Sequence, residues 1–334
     1  MVSQAYIIWN DFKRSVSYNL RLTRAWNKPV SLLVESTNYC NLRCITCPRE
    51  DMTRAKGSMN FKLFKKIIDE SLFIYSVGLH YMGEPLMNKD IFKFIDYAKQ
   101  KGVNHVYLST NVTILNEERS NRLLDTPIDA VILSLDGASK RTYERVRRNA
   151  KFEESVRNVE KFLELREKSE RKPHVYLQVI KTNETLKEMQ EFRERWSGYD
   201  VEITCKNFCT WANQLKNAEK ISKKENWYHP GGVPWPCASL WEGLVVNWDG
   251  SVVPCCYDFN STAVIGDLKK QSVLEVWNGE PIQKIRKSQI ENKPIPLCAG
   301  CTDKPGHSPL AFYRDFGTSK YARALWNFKR RIFG

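Results

Sequence analysis

Short apolar runs alternate with helix-period segments between residues 31 and 206. The runs typical of strands are SLLVEST (31–37), VGLHYM (77–82), HVYLST (105–110), AVILSLD (130–136), HVYLQVI (174–180) and VEITCK (201–206). Between two of these runs, the segment DIFKFIDYAKQ places Ile91, Phe94, Ile95 and Ala98 on one helical stripe. Such repetition predicts an α/β fold with a parallel sheet and helices outside it, and six units are too few for an eightfold barrel. We therefore expect an open or partial barrel.

Polar residues recur at alternate positions in these runs. The pairs that share parity are Glu35 and Thr37, Ser109 and Asn111, Ser134 and Asp136, Tyr176 and Gln178, and Glu202 and Thr204. A period of two places each pair on one face of the sheet. This pattern predicts a lumen that holds a polar ligand; the alternative is that these positions are outward-facing strand ends.

The pattern changes near residue 223. The segment HPGGVPWPC is typical of a linker, and after it LVVNW and SVVPCC flank Asp249-Gly250, a strong hairpin signal. We therefore expect four parts: an amphipathic extension (1–30), a core (31–222), a small cysteine-bearing module (223–310) and a basic aromatic helix (311–334). The amphipathic ends predict either docking on the core or contact with a membrane surface.

Charge and hydropathy narrow the class of protein. The 334 residues carry a net charge of +14 and include no run of apolar residues long enough to cross a membrane. The N-terminus lacks the features of a secretory signal, so we expect a cytoplasmic protein. The positive surface would attract phosphorylated substrates, nucleic acid or anionic lipid, or would serve only for solubility.

Ten cysteines in a reducing compartment indicate metal binding rather than disulfides. Cys40, Cys44 and Cys47 form a C-x3-C-x2-C loop directly after the first strand. Three thiolates can hold three irons of a four-iron cluster and leave the fourth iron open to a ligand. A zinc site would normally have four protein ligands, so zinc is the weaker hypothesis here.

A second group of cysteines lies near the C-terminus. Cys237, one of the neighbours Cys255 and Cys256, and the pair Cys298 and Cys301 supply four thiolates. Four thiolates suit a fully ligated four-iron cluster, and they suit zinc equally well. Cys255 and Cys256 point to opposite sides of a strand, so only one of them can face the site. Cys205 and Cys209 are interpreted as buried small side chains.

These motifs resemble the radical SAM superfamily over residues 31–301. The later cysteines, with the hairpin and the Ile265-Gly266-Asp267 and Trp277-Asn278-Gly279 segments, resemble its C-terminal auxiliary-cluster module, called SPASM or, in a shortened form, twitch. The resemblance implies a partial (β/α)6 barrel followed by a small α+β domain. It also implies S-adenosylmethionine (SAM), a [4Fe-4S] cluster bound by three cysteines and SAM, and one auxiliary [4Fe-4S] cluster. The twitch pattern favours Cys255 over Cys256.

The resemblance also suggests which residues contact SAM. Met82-Gly83-Glu84-Pro85 is similar to the family's Gly-Gly-Glu motif, in which Glu84 and the local backbone would hold the SAM amino group. The strand-end groups would contact the ribose and methionine, and an arginine would pair with the SAM carboxylate. The predicted contacts are Gly83, Glu84, Pro85, Ser109, Asn111, Ser134, Asp136 and Arg147, with Arg145 or Arg148 as alternatives to Arg147. Thr46 departs from the family, which often has an aromatic residue or Met at this position beside the adenine.

The expected function is reductive cleavage of SAM to a 5′-deoxyadenosyl radical that abstracts a hydrogen atom from a substrate. The resemblance to the short, single-cluster form of the family favours oxidation or epimerisation of a sugar-like or cyclitol-like substrate. The alternatives are modification of a peptide or protein, action on a membrane lipid or glycolipid, and, in a different class, a non-catalytic zinc or nucleic-acid-binding protein. The resemblance implies an electron donor such as flavodoxin or ferredoxin, and no RNA-binding signature is present in the sequence. His80, Tyr176 and Gln178 are lumen candidates without an assigned role.

Overall fold

The computed structural model describes residues 2–228 and 236–303. The predicted C-terminal helix (311–334) lies outside the described residues, as does most of the predicted linker. No helix among the described residues is both long and apolar enough to span a bilayer.

The described chain has eleven strands. They are β1 Ser31–Val34, β2 Arg43–Cys44, β3 Ser76–Gly78, β4 His105–Thr110, β5 Ala130–Ser134, β6 Arg147–Arg148, β7 His174–Ile180, β8 Glu202–Lys206, β9 Gly243–Val246, β10 Ser251–Val253 and β11 Gly266–Asp267. Nine of them form one sheet in the order β11-β10-β9-β1-β3-β4-β5-β7-β8, and β2 and β6 form a small separate pair.

Six parallel strands form the core of the large sheet and correspond to the six predicted strands. Leu32 of β1 lies opposite Val77 of β3, and Leu133 of β5 lies opposite Leu177 of β7; all four side chains are buried. In β1 and β7 buried positions alternate with half-buried ones, as expected when one face of each strand packs against the helices. The prediction of an α/β partial barrel is therefore confirmed. The second strand is shorter than predicted, because β3 ends at Gly78 and residues 79–82 continue as a loop into the barrel mouth.

The helices are α1 Gln4–Asn19, α2 Phe61–Asp69, α3 Ile91–Gln100, α4 Glu117–Asp125, α5 Lys140–Val146, α6 Phe152–Lys168, α7 Met189–Trp196, α8 Ala218–Ile221, α9 Val273–Trp277 and α10 Glu280–Ile290. α3 buries Ile91, Phe94, Ile95 and Ala98, which is the stripe predicted from the sequence. Side-chain oxygens of residues just before several helices accept hydrogen bonds from the first turn, as Asn60 does before α2.

The C-terminal module extends the core sheet. β9 and β10 form the predicted hairpin around Asp249-Gly250, and Gly250 adopts a positive φ of 91° that its missing Cβ permits. β9 also pairs in parallel with β1, with Leu33 opposite Val245. The two predicted domains therefore share one continuous sheet, which the sequence pattern does not indicate. The position of the boundary between them stays a prediction.

Candidate active site

The loop that carries Cys40, Cys44 and Cys47 leaves β1 at the carboxyl end of the sheet, where ligands bind in folds of this kind. Cys44 belongs to β2, which pairs antiparallel with β6, so that Cys44 lies opposite Arg147. The backbone N–H of Cys47 donates to the carbonyl of Cys44 at 3.2 Å, which folds the end of the loop back on itself. The loop is thus braced against the segment that carries the predicted arginine.

One cavity of about 170 Å³ opens at this end of the sheet. Most predicted site residues line it together: Cys40, Cys44, Cys47, Gly83, Glu84, Ser109, Asn111, Ser134 and Arg147. Ser109 Oγ lies 3.1 Å from Ser134 Oγ, as two inward positions on neighbouring strands should. Pro85 and Asp136 do not line the cavity. Pro85 begins a buried 3-10 turn, and Asp136 lies behind Arg147.

Gly83 lies directly against the backbone that leads into Cys40. A Cβ at this position would collide with the carbonyl oxygens of Thr37 and Tyr39. The N–H of Glu84 donates to the Tyr39 carbonyl at 2.8 Å. Only glycine permits this close approach, which fixes the Glu84 loop to the cysteine loop.

The Glu84 carboxylate is buried and already accepts three hydrogen bonds. The donors are the N–H of Asn111 at 2.6 Å, the Thr110 hydroxyl at 2.8 Å and the N–H of Leu86 at 3.1 Å. Burial raises the pKa of this carboxyl to about 6, against the lowering effect of those donors. A carboxylate has about four acceptor sites, so about one remains for an ammonium group in the cavity. Glu84 therefore holds the end of β4 in place as well as facing the predicted SAM site.

Arg147 is the one of the three candidate arginines that lines the cavity. Its Nε and Nη2 atoms donate to Oδ2 of Asp136 at 2.9 and 2.8 Å, and Asp136 Oδ1 accepts from the N–H of Ile180 at 2.7 Å. Arg145 instead points to a mostly exposed ion pair with Glu184, and Arg148 is exposed. Asp136 thus acts on Arg147 rather than on the cavity itself.

Trp211 was not predicted from the sequence, yet it lines the same cavity. Its indole Nε1 donates to the carbonyl of Thr46 at 2.9 Å. An aromatic ring therefore lies beside the cysteine loop although position 46 itself is threonine. No local signal in the sequence links residue 211 to residue 46, because only the folded chain brings them together.

Trp211 belongs to a strained segment that lies between two cavities. Trp211, Ala212 and Asn213 have φ values of 57°, 58° and 65°, a conformation that costs about 1–2 kcal/mol for each non-glycine residue. The Asp303 carboxylate holds the segment by accepting from the N–H groups of Thr210 and Ala212 at 2.9 and 2.7 Å. Trp211 lines the first cavity and Ala212 lines the second, so the strain is stored where the two sites meet.

The loop after β3 supplies two further polar side chains to the first cavity, His80 and Tyr81. The buried His80 Nδ1 and Tyr81 hydroxyl have no hydrogen-bond partner among the described residues. Burial, with a smaller effect of Lys206, lowers the pKa of His80 to about 3, so its ring is neutral near pH 7. Burial also raises the pKa of Tyr81 well above its usual range, and the nearby Cys256 and Cys255 add to this effect. These atoms are candidates for substrate contact.

The second cavity collects the C-terminal cysteines. Cys237, Cys255, Cys298 and Cys301 line it, and Cys256 does not. Gln289 of α10 joins two of them: its Oε1 accepts from the N–H of Cys237 at 2.7 Å, and its Nε2 lies 3.3 Å from Cys298 Sγ. The arrangement supports the choice of Cys255 over Cys256, and the assignment of these four ligands stays a prediction.

The donor sets of both cavities fit iron–sulfur clusters. Burial raises the pKa of Cys44 to about 11 and those of Cys47 and Cys237 to about 12, so these thiols keep their protons unless a metal centre replaces them. Among the described residues, no three His, Cys, Asp or Glu side chains converge as they would around a single metal ion. In a four-iron cluster each thiolate binds a separate iron, so three thiolates in the first cavity and four in the second suit such clusters.

Comparison with known proteins agrees with this chemistry. A sequence model of the radical SAM superfamily matches residues 34–195, and one of an iron–sulfur cluster-binding domain, SPASM, matches residues 237–302. A cofactor-modifying protein for tungsten-containing aldehyde ferredoxin oxidoreductase from Pyrococcus furiosus is 23% identical over 81% of this chain and 86% of its own length. The mycofactocin maturase MftC of Mycobacterium tuberculosis is 33% identical over 40% of this chain, and the match spans 34% of MftC.

Three solved structures share the fold. SuiB of Streptococcus suis, bound to precursor peptide SuiA, aligns with a TM-score of 0.63 and 14% identity over 84% of this chain and 74% of SuiB. The protein anSMEcpe, with bound AdoMet and Cp18Cys peptide, aligns with a TM-score of 0.61 and 18% identity over 91% of this chain and 100% of its own length. BtrN, in complex with AdoMet and 2-DOIA, aligns with a TM-score of 0.55 and 19% identity over 82% of this chain and 92% of BtrN. At these identities the likeness shows the fold alone.

The family models and the two cysteine-lined cavities lead to one assignment. An enzyme of this family uses SAM and a [4Fe-4S] cluster, and its SPASM domain binds auxiliary iron–sulfur clusters. The alternative of a non-catalytic zinc or nucleic-acid-binding protein is therefore wrong. The chain belongs to the radical SAM superfamily, and its C-terminal part is a SPASM iron–sulfur domain.

Proposed function

We propose that this enzyme modifies a peptide or protein by radical oxidation. When bound, SAM and the two clusters supply a 5′-deoxyadenosyl radical, which takes a hydrogen atom from the substrate, and an acceptor for the remaining electron. In this proposal Cys40, Cys44 and Cys47 hold the first cluster, and Arg147 binds the SAM carboxylate. The sequence alone favoured a sugar-like or cyclitol-like substrate, so this proposal moves the alternative to first place.

The observation that carries the proposal is the edge position of β8 beside the cavity; just beyond its end, Phe208 forms an isolated bridge with Trp227. β8 pairs only with β7 among the described strands, and it is the last strand of the sheet. Ile180 lines the cavity, and Lys206 of β8 lies opposite Ile180 in the sheet register. Residues on paired positions share a face, so Lys206 is on the cavity side and is exposed. An extended peptide can add to such an edge through its main chain and place one side chain in the cavity.

The similar proteins support a peptide substrate. SuiB and anSMEcpe each have a bound peptide in their structures, and MftC is a maturase. The alignment covers all of the anSMEcpe chain, so the two proteins share their fold over that length.

Treatment with a protease distinguishes a peptide substrate from a sugar-like one. Reconstituted enzyme with SAM and a reductant is given a size-fractionated extract of its own source cells, and 5′-deoxyadenosine formation is measured above the background without extract. We expect a fraction that stimulates the reaction, and digestion of that fraction with a non-specific protease before assay should remove the stimulation. Stimulation that survives the protease would contradict a peptide substrate.

A sugar-like or cyclitol-like substrate, which the sequence alone favoured, is the second candidate. Periodate cleaves vicinal diols and leaves most peptide side chains intact. If periodate removes the stimulating activity and protease does not, the sugar-like candidate replaces the peptide. Transfer of deuterium from the labelled substrate into 5′-deoxyadenosine would then identify the position that is attacked.

A further inference from the structure

Helix α1 is packed with its polar side inward. Of its four buried residues, Asn10, Arg14 and Ser17 are polar and only Ile7 is apolar, whereas Ile8, Trp9 and Phe12 are 50%, 50% and 52% exposed. A helix that covers a protein core normally shows the opposite arrangement. The exposed apolar side therefore does not result from poor docking of α1 and needs its own explanation.

Specific contacts fix this orientation. Arg14 forms an ion pair with Glu242 at 3.1 Å and another with Asp11, and both Arg14 and Glu242 are buried. Asn10 Nδ2 donates to the carbonyl of Lys28 at 3.0 Å, and the N–H of Lys28 donates back to Asn10 Oδ1 at 2.9 Å. Rotating the helix to bury its apolar side would break these contacts.

The exposed side chains Ile8, Trp9, Phe12 and Trp26, with the half-buried Lys13, form one surface, which we term the aromatic patch. The Trp9 ring lies 5.4 Å from the Phe12 ring and 5.7 Å from the Trp26 ring, and Trp26 is 49% exposed. The Lys13 ammonium lies 5.1 and 5.3 Å from the two tryptophan rings. Single exposed apolar residues are common, but a cluster of this kind marks an interaction site.

The rim of the aromatic patch is basic. Residues 1–30 contain five Lys and Arg and one acidic residue, Asp11, which pairs with the buried Arg14. Arg21, Arg24 and Lys28 are exposed. Within residues 2–228 and 236–303, none of these three forms an ion pair with a carboxylate. The surface therefore combines exposed aromatic side chains with positive charges that no described carboxylate pairs with.

We propose that the aromatic patch and its basic rim dock this enzyme on the surface of a membrane that contains anionic lipids. Trp and Phe rings favour the boundary between headgroups and acyl chains, and Lys and Arg pair with lipid phosphates. Each basic residue near an anionic surface strengthens binding. α1 lies in the plane of the membrane and does not cross it. This proposal is independent of the substrate.

Charge distinguishes the membrane from two other occupants. The segment 311–334 of this chain is aromatic but carries six Lys and Arg and one Asp, so the basic rim repels it. A second copy of the chain, docked patch to patch, would bring the same positive rims together. An anionic lipid surface complements both basic segments of the chain.

Vesicle co-sedimentation tests this proposal with the full-length, cluster-loaded enzyme. We expect binding to vesicles of phosphatidylcholine and phosphatidylserine, weaker binding as salt increases, and little binding to phosphatidylcholine alone. The double variant Trp9→Ser/Phe12→Ser should bind at least about tenfold more weakly, because both rings lose their contact with the acyl chains. A matched variant, Val264→Ser/Leu274→Ser, removes exposed apolar residues elsewhere and should bind like the wild type.

Iron content and SAM cleavage should be unchanged in the double variant, which shows that it is folded and loaded. Equal vesicle binding by the wild type and Trp9→Ser/Phe12→Ser would overturn the proposal, as would wild type that does not bind. A wild-type dimer that becomes a monomer in this variant, without vesicle binding by either, would instead assign the aromatic patch to a second copy.

Discussion

Replacing Asp136 with asparagine removes the carboxylate that pairs with Arg147 while keeping the shape of the side chain. The two side chains are only 1% and 8% exposed, and Asp136 accepts two of the Arg147 donors. The substitution leaves a buried guanidinium without its counter-charge. Removing one partner of a buried pair typically costs about 3–5 kcal/mol.

Two features place the expected cost near the lower end of this range, at about 3 kcal/mol. The single carbonyl oxygen of asparagine can still accept the bond from the N–H of Ile180, so this contact is kept, whereas its Nδ2 group replaces the oxygen that accepts from Arg147 and cannot accept a bond. Cys44 lies near Arg147, and its thiolate in the loaded enzyme offsets part of the positive charge. For a chain of this size, this cost corresponds to a fall in Tm of roughly 4 °C.

The assay is a double-mutant cycle with Asp136→Asn, Arg147→Gln and both together, followed by thermal unfolding of the cluster-loaded proteins under anaerobic conditions. The pair should show a coupling of about 2–3 kcal/mol, so the double variant loses much less than the sum of the single losses. Glu280→Gln breaks a fully exposed ion pair with Lys284 and serves as the control, with no expected change in Tm. Additive losses, or a Tm for Asp136→Asn equal to that of the control, would refute the role assigned to this pair.

Three further predictions concern the clusters and pH. Cys44→Ala should abolish 5′-deoxyadenosine formation, because it removes one of the three thiolates of the loop; persistent formation would contradict the site. Cys255→Ala should lower iron from about eight to about four per chain, whereas Cys256→Ala should keep about eight; equal iron in the two variants would refute the assignment of Cys255. Burial, opposed by Arg14, raises the pKa of Glu242 from 4.5 to about 7, so the folded protein retains a proton that the unfolded chain releases. The free energy of unfolding should therefore fall by up to about 3 kcal/mol as pH rises through this interval, and urea unfolding of Glu242→Gln should lack this part of the slope.

The pairing of β9 with β1 illustrates why part of the fold could not be predicted. The hairpin of β9 and β10 followed from Asp249-Gly250 and the apolar runs on either side, which are local signals. The parallel contact of β9 with β1 joins residues more than two hundred positions apart. No periodicity specifies such a partner, because the free edge of β1 becomes available only when the sheet has formed.

In the candidate site too, some residues were predictable from local sequence signals and others depend on tertiary contacts. Spacing identified the three cysteines of the loop, and strand ends identified Ser109, Asn111 and Ser134, since the carboxyl ends of parallel strands converge. The role of Asp136 as the partner of Arg147 depends on the contact between β6 and the end of β5, and sequence reasoning placed Asp136 in the cavity instead.

The sequence by itself determined the six core strands, the stripe of α3, the hairpin and the spacing of the cysteines, because each depends on residues close together in the chain. The tertiary structure decided which of Cys255 and Cys256 faces the second cavity, brought Trp211 to Thr46, and turned the polar side of α1 inward. These features depend on contacts between distant segments. Burial, hydrogen bonding and charge pairing determine these contacts only once the chain is folded, so local sequence patterns cannot predict them.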